Sequence, residues 1–228
     1  ARNLNRRTGQ TSFFEVGNVH FDLPGELPEE RKTVGVLLFG REDSFFTLKG
    51  LLEELFSRIG VKGASYHKAD RPYLQPGRTA EVHAADGALL GVLGEVHPDV
   101  TAGWKIGERV YAAELSFAGL MAAASAGIRF APLPKFPVVQ RDLAVVVNRD
   151  VESAALKAVI ETAQDRLIVE DVRLFDTYVG PGLLSGKKSL AFSFTLRAED
   201  HTLSEEEIKT AFEAIIAALK ENGAPLRV

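Results

Sequence analysis

Apolar and polar positions along this chain follow two periods, and the places where the period changes divide it into elements. Residues 12 to 21, SFFEVGNVHF, are aromatic and β-branched, a composition that suits a pleated surface and predicts a strand. DLPGELPEERK reads as a loop, and TVGVLLFG at 33 to 40 as a strand buried on both faces. Phe45, Leu48, Leu51, Leu52, Leu55, Phe56 and Ile59 recur at three and four before Gly60, which predicts an amphipathic helix with a C-terminal stop. RTAEVHA and ALLGVLGEV flank Ala85-Asp86-Gly87, a hairpin signal. HPDVTAGWKI reads as a short helix and ERVYAAELSF as a strand, so the first half is an antiparallel sheet with helices against it. Prolines cluster at 132, 134 and 137, and we place a domain boundary there, giving domains 1–132 and 133–228.

The second half has a simpler order. A strand over Asp142–Asn148 precedes a helix after Asp150 with Leu156, Val159, Ile160 and Ala163 on one stripe. Strands over Ile168–Tyr178 and Lys188–Ala198 follow, then a helix capped by Ser204 with Glu207 three residues on. Ile208, Ala211, Phe212, Ile215 and Leu219 form its inward face. Gly223 ends it and APLRV supplies a last strand. The order βαββαβ is the ferredoxin-like arrangement, with both helices on one face of an antiparallel sheet, so the whole chain is α+β. A strand's period of two sends Leu143, Val145 and Val147, and also Leu190, Phe192, Phe194 and Leu196, toward the helices. Ser189, Ala191, Ser193, Thr195 and Arg197 then line the other face. In the second strand Val172 and Leu174 point inward, with Arg173 and Phe175 outward. Arg141 and Asp142 stand at the mouth of the first strand, either as a solvated strand end or as part of a ligand-facing edge. An outward aromatic beside an arginine on an open sheet suits base stacking and phosphate contact; the other reading packs Phe175 on the first domain.

Composition narrows the function classes. Of 228 residues, 46% are hydrophobic and 25% charged, with mean hydropathy near zero, as in ordinary globular protein of about two domains. A net charge of −4 and a pI near 5.8 exclude a wholesale basic coat, so DNA is not an expected partner and RNA needs a local patch. From Lys135 onward, 12 Lys and Arg stand against 15 Asp and Glu, a balance of −3. Several of those acids, Glu205, Glu206, Glu207 and Glu213, fall on the last helix, across the sheet from its open face. The absence of cysteine excludes disulfides and thiolate metal sites and fits a reducing compartment. With no apolar run of membrane-spanning length and no signal peptide, we expect a cytoplasmic protein that makes no membrane contact. The opening Ala1-Arg2-Asn3 and a single internal Met121 lead us to expect a piece of a longer polypeptide.

Candidate chemistry is sparse. His20, His67, His83, His97 and His201 never fall at zinc-ligand spacing, so no metal residue is expected. Glu95 and His97 in GEVHP sit two apart at a strand end, a geometry open to acid-base work but lacking a nucleophile. GPGLLSGKKS, 180 to 189, fails as a phosphate loop because Pro181 stands where a glycine is needed and the segment joins two strands. Its Lys187 and Lys188 still bring two positive charges beside the open sheet face.

Taken together, FFEVGNVHF, GEVHPDV, FPVVQRDLAVVV, LFDTYVGPGLLSGKKSLAFSFTLRAEDHTLSEEEI and APLRV resemble the C-terminal part of the bacterial phenylalanyl-tRNA synthetase beta subunits, across essentially the whole chain. The resemblance implies a class II synthetase-like noncatalytic core in the first half and a ferredoxin-fold anticodon-binding domain in the second. RDLA, LFD and GKKSLAF are its specific parts. Class II catalysis needs an Arg two before the motif-two Glu to hold the ATP α-phosphate, and ahead of Glu15 that position is Phe13, so no catalytic residue is expected. The resemblance further implies an α2β2 heterotetramer with the synthetase alpha subunit and contact with tRNA(Phe). No cofactor is expected in this fragment; ATP and magnesium would serve the parent enzyme on the alpha subunit. The residues we expect to meet RNA are Arg141, Arg173, Phe175, Lys187, Lys188, Ser193 and Arg197. The competing reading is a ferredoxin-like regulatory module that binds a small amino acid or metabolite; a self-contained ATP-using enzyme is disfavoured by the failed phosphate loop.

Overall fold

The computed structural model describes residues 10–40, 42–125, 133–163 and 167–227. The chain divides into two compact units, residues 1–130 and 131–228. The boundary expected at 132/133 falls at the edge of the described residues.

The first unit is a six-stranded antiparallel sheet. Its strands are β1 (Thr11–Phe21), β2 (Glu29–Phe39), β3 (Ser65–Lys68), β4 (Leu74–His83), β5 (Leu89–Val96) and β6 (Val110–Ser116), in the spatial order β1-β2-β6-β5-β4-β3. Helix α1 (Phe45–Ile59) has the expected bounds, because its stripe is bracketed by two strong signals. Ser44 and Thr47 cap it reciprocally, each backbone N–H donating to the other's hydroxyl at 3.1 Å, and Gly60 closes it at φ 76°. Leu48, Leu52 and Phe56 bury against Val36, Leu38, Leu93 and Leu115 of the sheet. Each such side chain contributes about 1.5–3 kcal/mol. Helix α2 (Pro98–Gly103) follows β5.

Four expectations for this unit change. β2 starts at Glu29, because ladder bonds to β1 carry the charged residues expected in a loop. It is buried on both faces only toward its end: Val36 and Leu38 are buried on the helix side and Phe39 on the other, where Leu37 is half-buried. Two elements are additional, the short β3 and a helix α3 (Phe117–Ala123) capped by the Ser116 hydroxyl. Glu95 and His97 do not pair, for Glu95 binds Arg78 and the His97 ring caps α2.

The second unit has strands β7 (Val139–Asn148), β8 (Ile168–Tyr178) and β9 (Lys187–Arg197), in the antiparallel order β7-β9-β8. The C-terminal segment adds to the free edge of β7, where Val145 bridges Leu226 and the Arg227 N–H donates to the Ala144 carbonyl at 2.7 Å. The last strand expected over APLRV is thus a short bridged stretch. Helices α4 (Ser153–Thr162) and α5 (Glu205–Glu221) cover one face. Leu156 and Ile160 from α4, with Ile208, Ile215 and Leu219 from α5, meet Leu143, Val145, Val147, Leu190, Phe192, Phe194 and Leu196. The sheet residues share one parity, so the helices lie on a single side and the other side carries no helix of this unit among the described residues.

Candidate nucleic-acid interface

The open face is set by pairing register. Directly opposed residues of antiparallel strands lie on the same face, so its rows can be read across the sheet. Gln140 lies in one row with Thr195 and Glu170, and Asp142 with Ser193 and Arg173. Ala144 then aligns with Ala191 and Asp176, and Val146 with Ser189 and Tyr178; Asn148 and Lys187 close the series. The floor is built of small side chains, which leaves room for a flat ring above it.

Two bulges in β8 decide what stands on this floor. The register with β9 slips between Glu170 and Arg173, where Asp171 takes φ 54°, and again between Leu174 and Asp176. The second slip leaves Phe175 without a partner and reverses the alternation beyond it. Tyr178 therefore lands on the open face, where plain alternation from Arg173 would have placed Thr177. Its hydroxyl donates to the Pro181 carbonyl at 2.9 Å, which fixes the ring against the 180–186 loop. From the far edge, the Arg227 guanidinium lies 4.8 Å from the Tyr178 ring centroid. At about 4.8 Å per strand, an arginine beside β7 and a tyrosine on β8 can meet only by reaching toward one another over β7 and β9. Ser189, in the Tyr178 row, is buried.

The charges on this face are partly committed. Arg197 Nε donates to Glu170 Oε1 at 2.7 Å, and Gln140 Nε2 donates to the Ser193 hydroxyl at 2.8 Å. Arg173 approaches Asp171 at 3.5 Å with both groups well exposed, a weak pair. Lys187 makes no ion pair among the described residues. Arg173, Lys187 and Arg227 are the cations left to a ligand, beside Asp142 and Asp176.

The register puts Arg173, Lys187, Ser193 and Arg197 on the open face, spread along the length of β9. It separates the others. Arg141 pairs with Phe194 and Lys188 with Val147, so both stand on the helix side, a correction that follows from the parity that buries Leu143 and Leu190. Arg141 Nη1 donates instead to the Gln140 carbonyl at 3.0 Å. Phe175 is 60% exposed but sits in the bulge outside the row pattern, whereas Leu174 pairs with Phe192 on the helix side, as expected, and is 40% exposed. Gln140, Tyr178 and Arg227 were not among the expected residues. The alternation of β7 identifies Gln140, whereas Tyr178 and Arg227 depend on a bulge and on strand order.

In the first unit, Phe13 pairs with Leu37 and Glu15 with Gly35 on the edge strand β1. Among the described residues, the position two before Glu15 on β1 is the aromatic Phe13, not a guanidinium.

Comparison with known proteins matches two parts of the chain. Residues 1–117 match the family described as phenylalanyl tRNA synthetase beta chain CLM domain, and residues 134–227 match the ferredoxin-fold anticodon binding domain. Among curated relatives, the phenylalanine-tRNA ligase beta subunit of Symbiobacterium thermophilum is 39% identical over 99% of this chain and 26% of its own length. Those of Clostridium tetani and Geobacillus kaustophilus are 36% and 37% identical, over 100% and 99% of this chain and 29% of their own lengths. The chain therefore spans little more than a quarter of the length of the relatives it matches.

Proposed function

The chain belongs to the phenylalanyl-tRNA synthetase beta chain family, and from that premise we propose that it is a noncatalytic part of a phenylalanine-tRNA ligase whose second unit contacts the tRNA(Phe) anticodon. The first unit, taken as residues 1–132, is the synthetase-like core that assembles with the alpha subunit in an α2β2 tetramer. The second, 133–228, presents the open sheet face to RNA. Amino-acid activation, with its ATP and magnesium, lies on the alpha subunit in the cytoplasm.

One observation carries the reading: small side chains floor the open face, Tyr178 and Arg227 meet above it, and Arg173 and Lys187 flank it. A flat ring held by a fixed tyrosine, with guanidinium and ammonium groups around it, supplies stacking and phosphate contact to unpaired bases. The local excess of cations over acids is small, so the face adds to a larger RNA contact and does not hold a tRNA alone.

The test is Tyr178→Ala in the full-length beta subunit assembled with alpha. Phenylalanylation at limiting tRNA should fall by about 1–3 kcal/mol in kcat/KM, the worth of one stacked base, while phenylalanine-dependent pyrophosphate exchange stays unchanged. An unchanged kcat/KM for tRNA would remove the open face from the interface.

A further inference from the structure

One cleft in the first unit has features that packing alone does not use. Residues 75–78 bulge out of β4: its register with β5 breaks between Leu74 and Thr79, and Gly77 takes φ 78° with open space where a Cβ would stand. Bulges of this kind re-aim side chains. This one aims Arg78 at Glu95, whose Oε2 accepts from Arg78 Nη1 at 2.6 Å, while Arg109 Nε lies 3.7 Å from Glu95 Oε1. Glu95 is only 5% exposed and pairs with Tyr111 on the helix side of the sheet.

A buried carboxylate must be compensated, yet one guanidinium would suffice. Here there are two, and most of their donors are unused: Arg78 makes this one hydrogen bond, and Arg109 makes none among the described residues. The cluster walls a cavity of about 430 Å³ that also touches Phe45, Phe46 and Tyr111. Phe46 is 78% exposed and meets Phe45 edge-on, with centroids 5.7 Å apart, so its outer face is free. The N-terminus of α1 opens on the same cavity, with no acidic residue in its first turn.

We propose that this cleft binds a nucleotide unit, with Arg78 and Arg109 taking the phosphate and Phe46 taking the base. Glu95 is a positioning residue: it holds both guanidiniums in place, so little side-chain freedom is lost on binding. The net charge of two arginines and one glutamate is positive, and planar forks suit phosphate oxygens. A phosphate beside a flat ring occurs in a free nucleotide and in an RNA strand, and the two sources separate experimentally. The site stands on the first unit alone and is independent of the open sheet face.

The test is a two-dimensional amide NMR titration of the 228-residue chain with AMP, ribose 5-phosphate, adenosine and a short oligoadenylate. Saturable shifts at Gly77, Arg78 and Arg109 are expected with AMP, with weaker binding of either half-molecule. Arg109→Gln, at an exposed position that leaves the fold intact, should weaken AMP about tenfold or more, the worth of one charge-assisted hydrogen bond. Phe46→Ala should weaken AMP and leave ribose 5-phosphate unaffected. Saturation by oligoadenylate alone, still lost in Arg109→Gln, identifies an RNA strand as the source. The proposal is overturned if neither AMP nor oligoadenylate saturates these amides, if Arg109→Gln binds as the parent does, or if adenosine binds as tightly as AMP. AMP affinity untouched by Phe46→Ala refutes the ring contact.

Discussion

Arg141 and Arg173 lie on the two strands that flank β9 in one sheet, and the register assigns them to opposite faces. Removing each charge in turn therefore tests which face meets RNA. Each cation that neutralises a phosphate of single-stranded RNA adds about 0.7 to the slope of log affinity against log salt. The open face offers Arg173, Lys187 and Arg227 outside the Arg197–Glu170 pair. If all three engage, this face contributes a slope of about 2. Between about 50 and 200 mM salt, that alone costs roughly 18-fold in affinity, or about 2.6-fold per cation. In the assembled enzyme, fluorescence anisotropy with labelled tRNA across that range should show Arg173→Ala lowering the slope by about 0.7. Arg141→Ala, on the helix side, should leave it unchanged. An equal fall for both, or a fall for Arg141→Ala alone, would refute the assignment of faces.

Two further outcomes follow from local geometry. A Cβ on Gly91 would lie 2.1 Å from the Glu114 carbonyl oxygen and 2.8 Å from Leu115 Cα, so Gly91→Ala must force β5 and β6 apart; a loss of about 3 kcal/mol is expected from urea midpoints. His201 lies between Asp200 Oδ1 at 2.7 Å and Glu207 Oε1 at 2.8 Å, and the Ser204 hydroxyl and backbone N–H donate to Glu207 Oε2. The Ser204 bonds, reinforced by His201, bring the Glu207 carboxyl down to about 2, so its contribution is present above its ordinary value of 4.5 and lost as pH falls toward 2. Asp200 and then Glu207 raise His201, so its contribution is complete below 6.5 and lost as pH rises through the folded value. The difference in urea midpoint between the parent and Glu207→Gln should therefore be greatest between pH 4.5 and 6.5, and a difference flat with pH would contradict the pairing.

Much of the fold was legible where two independent signals agree. The α1 stripe ends at Gly60, and the Ser204–Glu207 capping box opens α5, so both helices could be placed from residues alone. In β7 and β9, alternation identified the buried set, and the same parity that buries Leu143 places Arg141 on the helix side. The rim position of Arg141 hid that consequence. β8 was less readable because a period-two reading assumes an unbroken ladder. The left-handed turn at Asp171 and the unpaired Phe175 each shift it by one residue, turning Tyr178 to the open face. Arg227 escaped notice for a different reason. Its meeting with Tyr178 depends on a tail that adds beside β7, a long-range neighbour that no local pattern encodes. α3 is two turns long, too short for its stripe to separate from the strand before it.

The central claim is that RNA meets the sheet side away from α4 and α5. Amide NMR of the chain with an anticodon stem-loop of tRNA(Phe) tests it most directly. Shifts are expected along Ser189, Ala191, Ser193 and Thr195, with residues on the solvent side of the helices, such as Lys157, Lys209 and Glu213, unmoved. Shifts confined to the helices, with that β9 row silent, would contradict it.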